Sequence, residues 1–152
     1  MKLAESLQER ADLNRKIEEL KQRLENNCLV QEGERPAEDP EELLRQLDAA
    51  VDRLQYLMAA INRTNSLTVV EGRTLTERIA EKDALNVRLN AYRELVEAAS
   101  QTVYRARGTE SRIRPAVDVA ALQKQADDLA RRIRLADNTL QATNWTTELI
   151  EE

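Results

Sequence analysis

The sequence predicts an all-α fold, an elongated antiparallel bundle of about four long amphipathic helices, and three observations lead to that prediction. Aliphatic residues recur at steps of three and four along most of the chain, which is the spacing of one helix face. The chain has only 3 Gly and 3 Pro, too few for the many turns of a β-sandwich or barrel. Its 152 residues suit one domain, so we expect residues 1–152 to form a single helical domain.

The first predicted helix covers residues 2–28, and its apolar side chains share one face. Those side chains belong to Leu3, Leu7, Leu13, Ile17, Leu20 and Leu24. Helices in proteins are stabilised mainly by packing of such a face, so we expect a partner helix along it. Gly33 and Pro36 then interrupt the helical pattern, which predicts an acidic connector over residues 29–39.

The second predicted helix covers residues 40–64. Asp39 suits the N-cap and Pro40 suits the first helical position. A strict 4-3 spacing, typical of a coiled-coil seam, joins Leu44, Leu47, Val51, Leu54, Met58, Ile61 and Asn65. The run from Thr68 to Val70 favours β structure, so we expect a short extended piece near residues 67–73.

The third predicted helix covers residues 75–107. It opens on a capping box from Thr74 to Glu77, and Gly108 provides a natural stop. Its seam consists of Leu85, Leu89, Tyr92, Val96, Ala99 and Val103.

The fourth predicted helix covers residues 119–143, after an N-cap at Asp118. Its seam consists of Leu122, Ala126, Leu129, Ile133, Ala136 and Leu140. A short tail over residues 144–152 follows and carries the single Trp of the chain.

Composition excludes several classes of function. With 23 Lys and Arg against 28 Asp and Glu, the chain lacks the basic footprint of a duplex nucleic-acid binder. No run approaches the roughly 20 apolar residues that a membrane span requires. The chain starts without a secretory pattern and holds one Cys, which favours the cytoplasm. Without His, the ferritin-type di-iron site and the usual zinc sites are closed, and we expect no cofactor and no catalytic residue set.

Three groups of residues are candidates for binding. An up-and-down bundle places the ends of helices two and four at one pole, where a polar pocket or simple helix capping would use Asn62, Thr64, Asn65, Asn144, Trp145 and Thr146. The acidic connector offers a charged surface at Glu32, Glu34 and Glu38. A basic turn, either an anion site or favourable charge after helix three, contains Arg105, Arg107, Arg112 and Arg114.

Several strings along the chain resemble a family of small uncharacterised bacterial proteins known as septicolysins. They are MKLAESLQERADL, NNCLVQEGERPAEDPEELL, INRTN, TLTERIAEKDAL, DVAALQKQADDL and NWTTEL. The resemblance implies a haemolysin-like role but supplies no site residue. Mixed charges border every helical seam, which argues against a membrane-lytic helix.

The function that the sequence favours is a cytoplasmic structural or interaction protein that forms a homo-oligomer through its helical seams, or binds another protein there. The main alternative is a module or enzyme that binds a ligand or a Mg²⁺-nucleotide through carboxylates and amides at the bundle pole. A third alternative, a pore-forming toxin, follows from the resemblance alone.

Overall fold

The computed structural model describes residues 1–101 and 113–152. Over these ranges the chain is an all-α protein with one small hairpin, which confirms the predicted fold class. The elements in chain order are α1 (Leu3–Asn27), α2 (Pro40–Leu67), β1 (Val69–Val70), β2 (Arg73–Thr74), α3 (Leu75–Ala99) and α4 (Val119–Thr146).

The described chain divides into two compact units. The first unit holds residues 1–74 and 143–152, and the second holds residues 75–142. That residues 1–152 form a single domain stays a prediction.

In the first unit, α1 packs against α2. Leu3 and Leu20 of α1 are buried, while the other members of its predicted apolar face are half-buried. A bidentate ion pair also joins the two helices, because Arg53 donates to both carboxylate oxygens of Glu9 at 3.0 and 2.9 Å. The apolar face predicted for the first helix is therefore the face that meets its partner.

The ends of α1 and α2 follow the capping chemistry of the sequence. The Asp39 side chain accepts a hydrogen bond from the Glu41 backbone at 3.0 Å, with Pro40 in the first turn of α2. At the end of α1, the Asn27 amide donates to the Arg23 carbonyl at 2.8 Å and accepts from the Glu38 backbone at 3.0 Å. These two bonds hold the end of the connector against the end of α1.

The seam predicted for α2 has the 4-3 spacing of a packed helix face, but three of its residues are exposed to solvent. Leu44, Val51 and Met58 are 47%, 43% and 47% exposed. The row of 4-3 spacing that faces inward is instead Leu43, Leu47, Ala50, Leu54, Leu57, Ile61 and Thr64, each buried or half-buried. The two rows share three residues, and hydrophobicity alone favours the larger side chains. Close packing against α1 selects the row that contains the small Ala50.

The short extended piece expected near residues 67–73 is an antiparallel hairpin. Val69 lies opposite Thr74 and Val70 lies opposite Arg73. Glu71 and Gly72 form the two-residue loop, with φ angles of 50° and 83°. Positive φ at both loop residues is the signature of a type I′ turn, which matches the twist of paired strands.

In the second unit, α3 and α4 share an apolar cluster of Leu85, Leu89, Ala126 and Leu129. An ion pair of 2.6 Å between the Lys82 ammonium and the Asp137 carboxylate also joins the helices. The predicted seam residues of α4 are all buried or half-buried, as are those of α3 up to Ala99.

Two boundaries in the second unit bear on the sequence predictions. The α3 helix ends at Ala99, and the remainder of the helix predicted to residue 107, with Val103 and Gly108, lies outside the described residues. The α4 helix begins after Asp118, whose carboxylate accepts from the Ala121 backbone at 3.0 Å, and continues to Thr146.

Candidate functional site

The outward face of α2 carries three exposed apolar side chains in one register. We call Leu44, Val51 and Met58 the α2 stripe. A spacing of seven residues places them one above another, because two turns of helix return to nearly the same direction. Leu47 and Leu54 are half-buried beside the stripe and lie on its inner border. The apolar surface of α2 therefore continues from the core outward to solvent.

Two cationic side chains of α2 have partners within the first unit. The Arg45 guanidinium lies 2.7 Å from the Glu42 carboxylate, and its hydrogen bond lowers the pKa of that carboxyl group from its ordinary value. Arg53 pairs with Glu9 and also lies over the Tyr56 ring, 5.3 Å from its centroid. Arg45 and Arg53 therefore already have partners, and none of these partners belongs to the stripe.

The predicted polar pole is the place where the C-terminal tail is attached. Thr64 is fully buried, and its hydroxyl donates to the Ala60 carbonyl at 2.8 Å. The same oxygen accepts from the Ile150 backbone at 2.8 Å. Arg63 donates to the Ile150 carbonyl at 3.3 Å. The Thr64 hydroxyl thus joins the C-terminal tail to α2.

The other residues of the predicted pole differ in their exposure to solvent. Asn65 and Asn144 are half-buried, while Asn62 and Trp145 are exposed. The Thr146 hydroxyl donates to the Thr143 carbonyl at 3.3 Å. A polar ligand pocket formed by these residues stays a prediction.

The tail also pairs with the N-terminus, a contact that sequence reasoning missed. The Leu3 backbone donates to the Thr147 carbonyl at 2.8 Å, and the Leu149 backbone donates to the Met1 carbonyl at 2.9 Å. The Lys2 ammonium lies 2.5 Å from the Glu148 carboxylate, and this hydrogen bond lowers the pKa of Glu148. Leu149 is buried in this contact. In the sequence, the signal for it was an apolar residue among the polar residues of the tail.

The three residues of the predicted acidic surface have two different environments. Glu38 is half-buried, and its carboxylate lies 2.5 Å from the Arg23 guanidinium, whose hydrogen bonds lower the pKa of Glu38. Glu32 and Glu34 are exposed on the connector. The acidic surface that solvent reaches is therefore centred on Glu32 and Glu34.

The predicted basic turn falls largely outside the described residues. Arg105, Arg107 and Arg112 lie in that undescribed part, whereas Arg114 is described and exposed. The anion site at this turn stays a prediction. Within residues 1–101 and 113–152, no three Cys, Asp or Glu side chains are grouped as a metal site requires.

Comparison with known proteins places the chain in a family. Residues 10–149 match a family of unknown function, DUF6847. The chain belongs to DUF6847. A crystal structure of a functionally unknown conserved protein from Corynebacterium diphtheriae is similar to this DUF6847 protein, with a TM-score of 0.93 and 36% sequence identity over 99% of both chains. No curated protein matches the sequence.

These comparisons overturn the resemblance to septicolysins. The matched family and the similar crystal structure are both of unknown function, and neither is a septicolysin. The quoted strings are largely Leu-, Glu- and Arg-containing pieces of amphipathic helix, a pattern that unrelated helical proteins share. In the part of the DUF6847 protein that the structure describes, no helix has the length and apolarity needed to cross a membrane.

Proposed function

We propose that this DUF6847 protein is a cytoplasmic structural or interaction protein whose copies associate through the α2 stripe. The observation that carries the proposal is the exposure of Leu44, Val51 and Met58 at seven-residue intervals, each between 43% and 47%. Scattered surface apolar residues are ordinary, but a row in helical register is what a partner helix packs against.

The stripe suits a second copy of the same helix. A two-fold axis near Val51 would place Leu44 of one copy beside Met58 of the other in an antiparallel pair. Leu47 and Leu54, half-buried in one copy, would complete the knobs-into-holes contact. Removing the exposed part of a large aliphatic side chain from water contributes about 1 kcal/mol, so the six stripe side chains of a pair favour association by about 6 kcal/mol before the entropic cost of pairing.

Charge at the centre of the stripe tests the proposal. We expect the wild-type chain to form a dimer or larger oligomer, and Val51→Glu to form monomers, because the substitution would bury two facing carboxylates near the two-fold axis. Size-exclusion chromatography with light scattering measures the mass directly. Ala49→Glu is the matched control, since Ala49 is exposed on α2 but lies on nearly the opposite side from Val51.

Two results would contradict the proposal at different points. A wild-type chain that remains monomeric at about 100 μM would contradict the proposal, because association weaker than that would leave the copies separate at ordinary protein concentrations. An oligomer that persists in Val51→Glu, with helical content unchanged by circular dichroism, would show that copies meet elsewhere. Loss of the oligomer in Ala49→Glu as well would mean that added charge on α2, rather than the stripe, is responsible.

A further inference from the structure

A surface groove of about 440 Å³ lies between α3 and α4 in the second unit. Three cationic side chains line it, Arg88 from α3 and Lys124 and Arg132 from α4. The half-buried Tyr92 ring and the buried Leu129 provide its apolar part. A groove of this kind favours a ligand that combines apolar groups with negative charge.

The groove keeps a net positive charge. Asp128 is its acidic lining residue, and its carboxylate lies 3.7 Å from the Arg131 guanidinium. Across residues 1–101 and 113–152, the structure shows no ion pair for Arg88, Lys124 or Arg132. Three cations are therefore available to an anionic partner without breaking an ion pair that the structure shows.

The acidic connector of the chain has the complementary chemistry. Leu29 is 87% exposed and Val30 is 52% exposed, which is unusual for adjacent apolar side chains. Glu32 and Glu34 follow directly and are also exposed. Two apolar side chains followed by two carboxylates match an apolar groove with a cationic rim.

The later acids of the connector are less available than Glu32 and Glu34. The Glu38 carboxylate is paired with Arg23, and the Asp39 carboxylate caps α2. Residues 29–34 are therefore the part of the connector that is free to bind another surface.

We propose that the groove of one copy binds residues 29–34 of a second copy. Leu29 and Val30 would cover the Tyr92 ring, while the two carboxylates that follow would pair with the cationic rim. In the structure, residues 31–34 form a turn closed by a 3.0 Å hydrogen bond from the Glu34 N–H to the Gln31 carbonyl. Opening that turn would let the six residues span up to about 20 Å, whereas the rim from Lys124 to Arg132 spans about 12 Å of helix. This contact rests on the proposed self-association, to which it adds a second, electrostatic contact between copies.

A peptide of residues 29–42 is the probe, titrated by calorimetry into the Val51→Glu chain. We expect saturable binding that weakens about tenfold or more between about 50 mM and 500 mM NaCl, because exposed ion pairs are screened by salt. Arg132→Glu in the same background should weaken binding about tenfold by converting attraction into repulsion. Arg134→Glu is the matched control, since Arg134 is exposed on α4 but does not line the groove.

The Val51→Glu background separates this inference from the proposed function, because peptide binding does not depend on the α2 stripe. Absence of peptide binding would overturn the inference even if the wild-type chain self-associates. Equal binding of a peptide with Glu32→Gln and Glu34→Gln would also overturn it, as would equal loss of affinity in Arg132→Glu and Arg134→Glu. Binding of inorganic phosphate without binding of the peptide would overturn it by showing a small-anion site.

Discussion

At the scale of single residues, Thr64 shows how a polar side chain in a helix becomes a structural residue. The fully buried hydroxyl both donates to its own helix and accepts from the backbone of Ile150. A buried polar group is stable only with such partners. From the sequence, Thr64 lay in the predicted polar pole, but its partner 86 residues away could not be read from local spacing.

Replacing Thr64 by Val removes the hydroxyl and keeps the shape of the side chain. We expect unfolding free energy to fall by about 1 to 3 kcal/mol, because the Ile150 N–H loses its acceptor inside the protein. Denaturant titration followed by circular dichroism measures the change. Ser66→Ala, which removes an exposed hydroxyl bonded to the Asn62 carbonyl, should change stability by less than about 0.5 kcal/mol. Equal effects of the two substitutions would contradict the structural role of Thr64.

At the scale of elements, α2 and the hairpin after it differ in how fully the sequence determines them. The hairpin depends on its loop, where Gly72 has a φ of 83° that only glycine adopts without strain. A Cβ at Gly72 would meet nothing within 4 Å, so any cost of substitution arises from the backbone angle. For α2, the face that is buried depends instead on which of two overlapping apolar rows packs against α1.

Gly72→Ala isolates the effect of that backbone angle. We expect a loss of about 1 kcal/mol in unfolding free energy, since a left-handed φ costs an L-residue with a Cβ about that much. Gly72→Asn should lose less, because asparagine tolerates this region better than alanine. Thermal and denaturant unfolding of the two variants against wild type provide the measurement. A fully stable Gly72→Ala would mean that the loop adopts another turn.

At the scale of the whole molecule, ion pairs fasten segments that are distant in sequence within each unit. Glu38 pairs with Arg23 and Glu148 pairs with Lys2 in the first unit, and Asp137 pairs with Lys82 in the second. Each cation lowers the pKa of its carboxyl partner through a hydrogen bond. Both units are therefore sensitive to acid.

The direction of the pH dependence follows from these lowered pKa values. The unfolded chain takes up protons near the ordinary value of 4.5 for glutamate, while the folded chain does so only at lower pH. The stabilisation is thus complete above pH 4.5 and is lost as pH falls through the lowered values. Denaturant midpoints measured across this range should decrease in acid.

Glu148→Gln should make that dependence shallower. We expect it to be less stable than wild type at neutral pH and to approach wild type in acid, where the carboxylate is protonated in both folded and unfolded chains. Glu25→Gln, which removes an exposed carboxylate outside the ion pairs of the described chain, should follow the wild-type curve. A parallel offset of Glu148→Gln at every pH would contradict the electrostatic explanation.

Periodicity, capping residues and breakers were enough to predict the fold class and most helix starts. Asp39, Pro40 and Asp118 act locally, so the sequence identifies them as capping and first-turn residues without knowledge of the rest of the chain. The candidate sites were less predictable. Thr64, Glu38 and Glu148 have roles that depend on partners far along the chain. Leu44, Val51 and Met58 fit the spacing of a buried seam, yet their side chains are exposed in the structure.

The sequence by itself determined which segments are helical, because helix formation follows from residues three and four apart and from caps at the ends. Tertiary structure alone decided which side of α2 faces α1 and that the tail binds both the first residues and Thr64. It also decided which charges of the connector are neutralised. The reason is physical: helical periodicity is a local property, whereas burial and ion pairing depend on residues that only folding brings together.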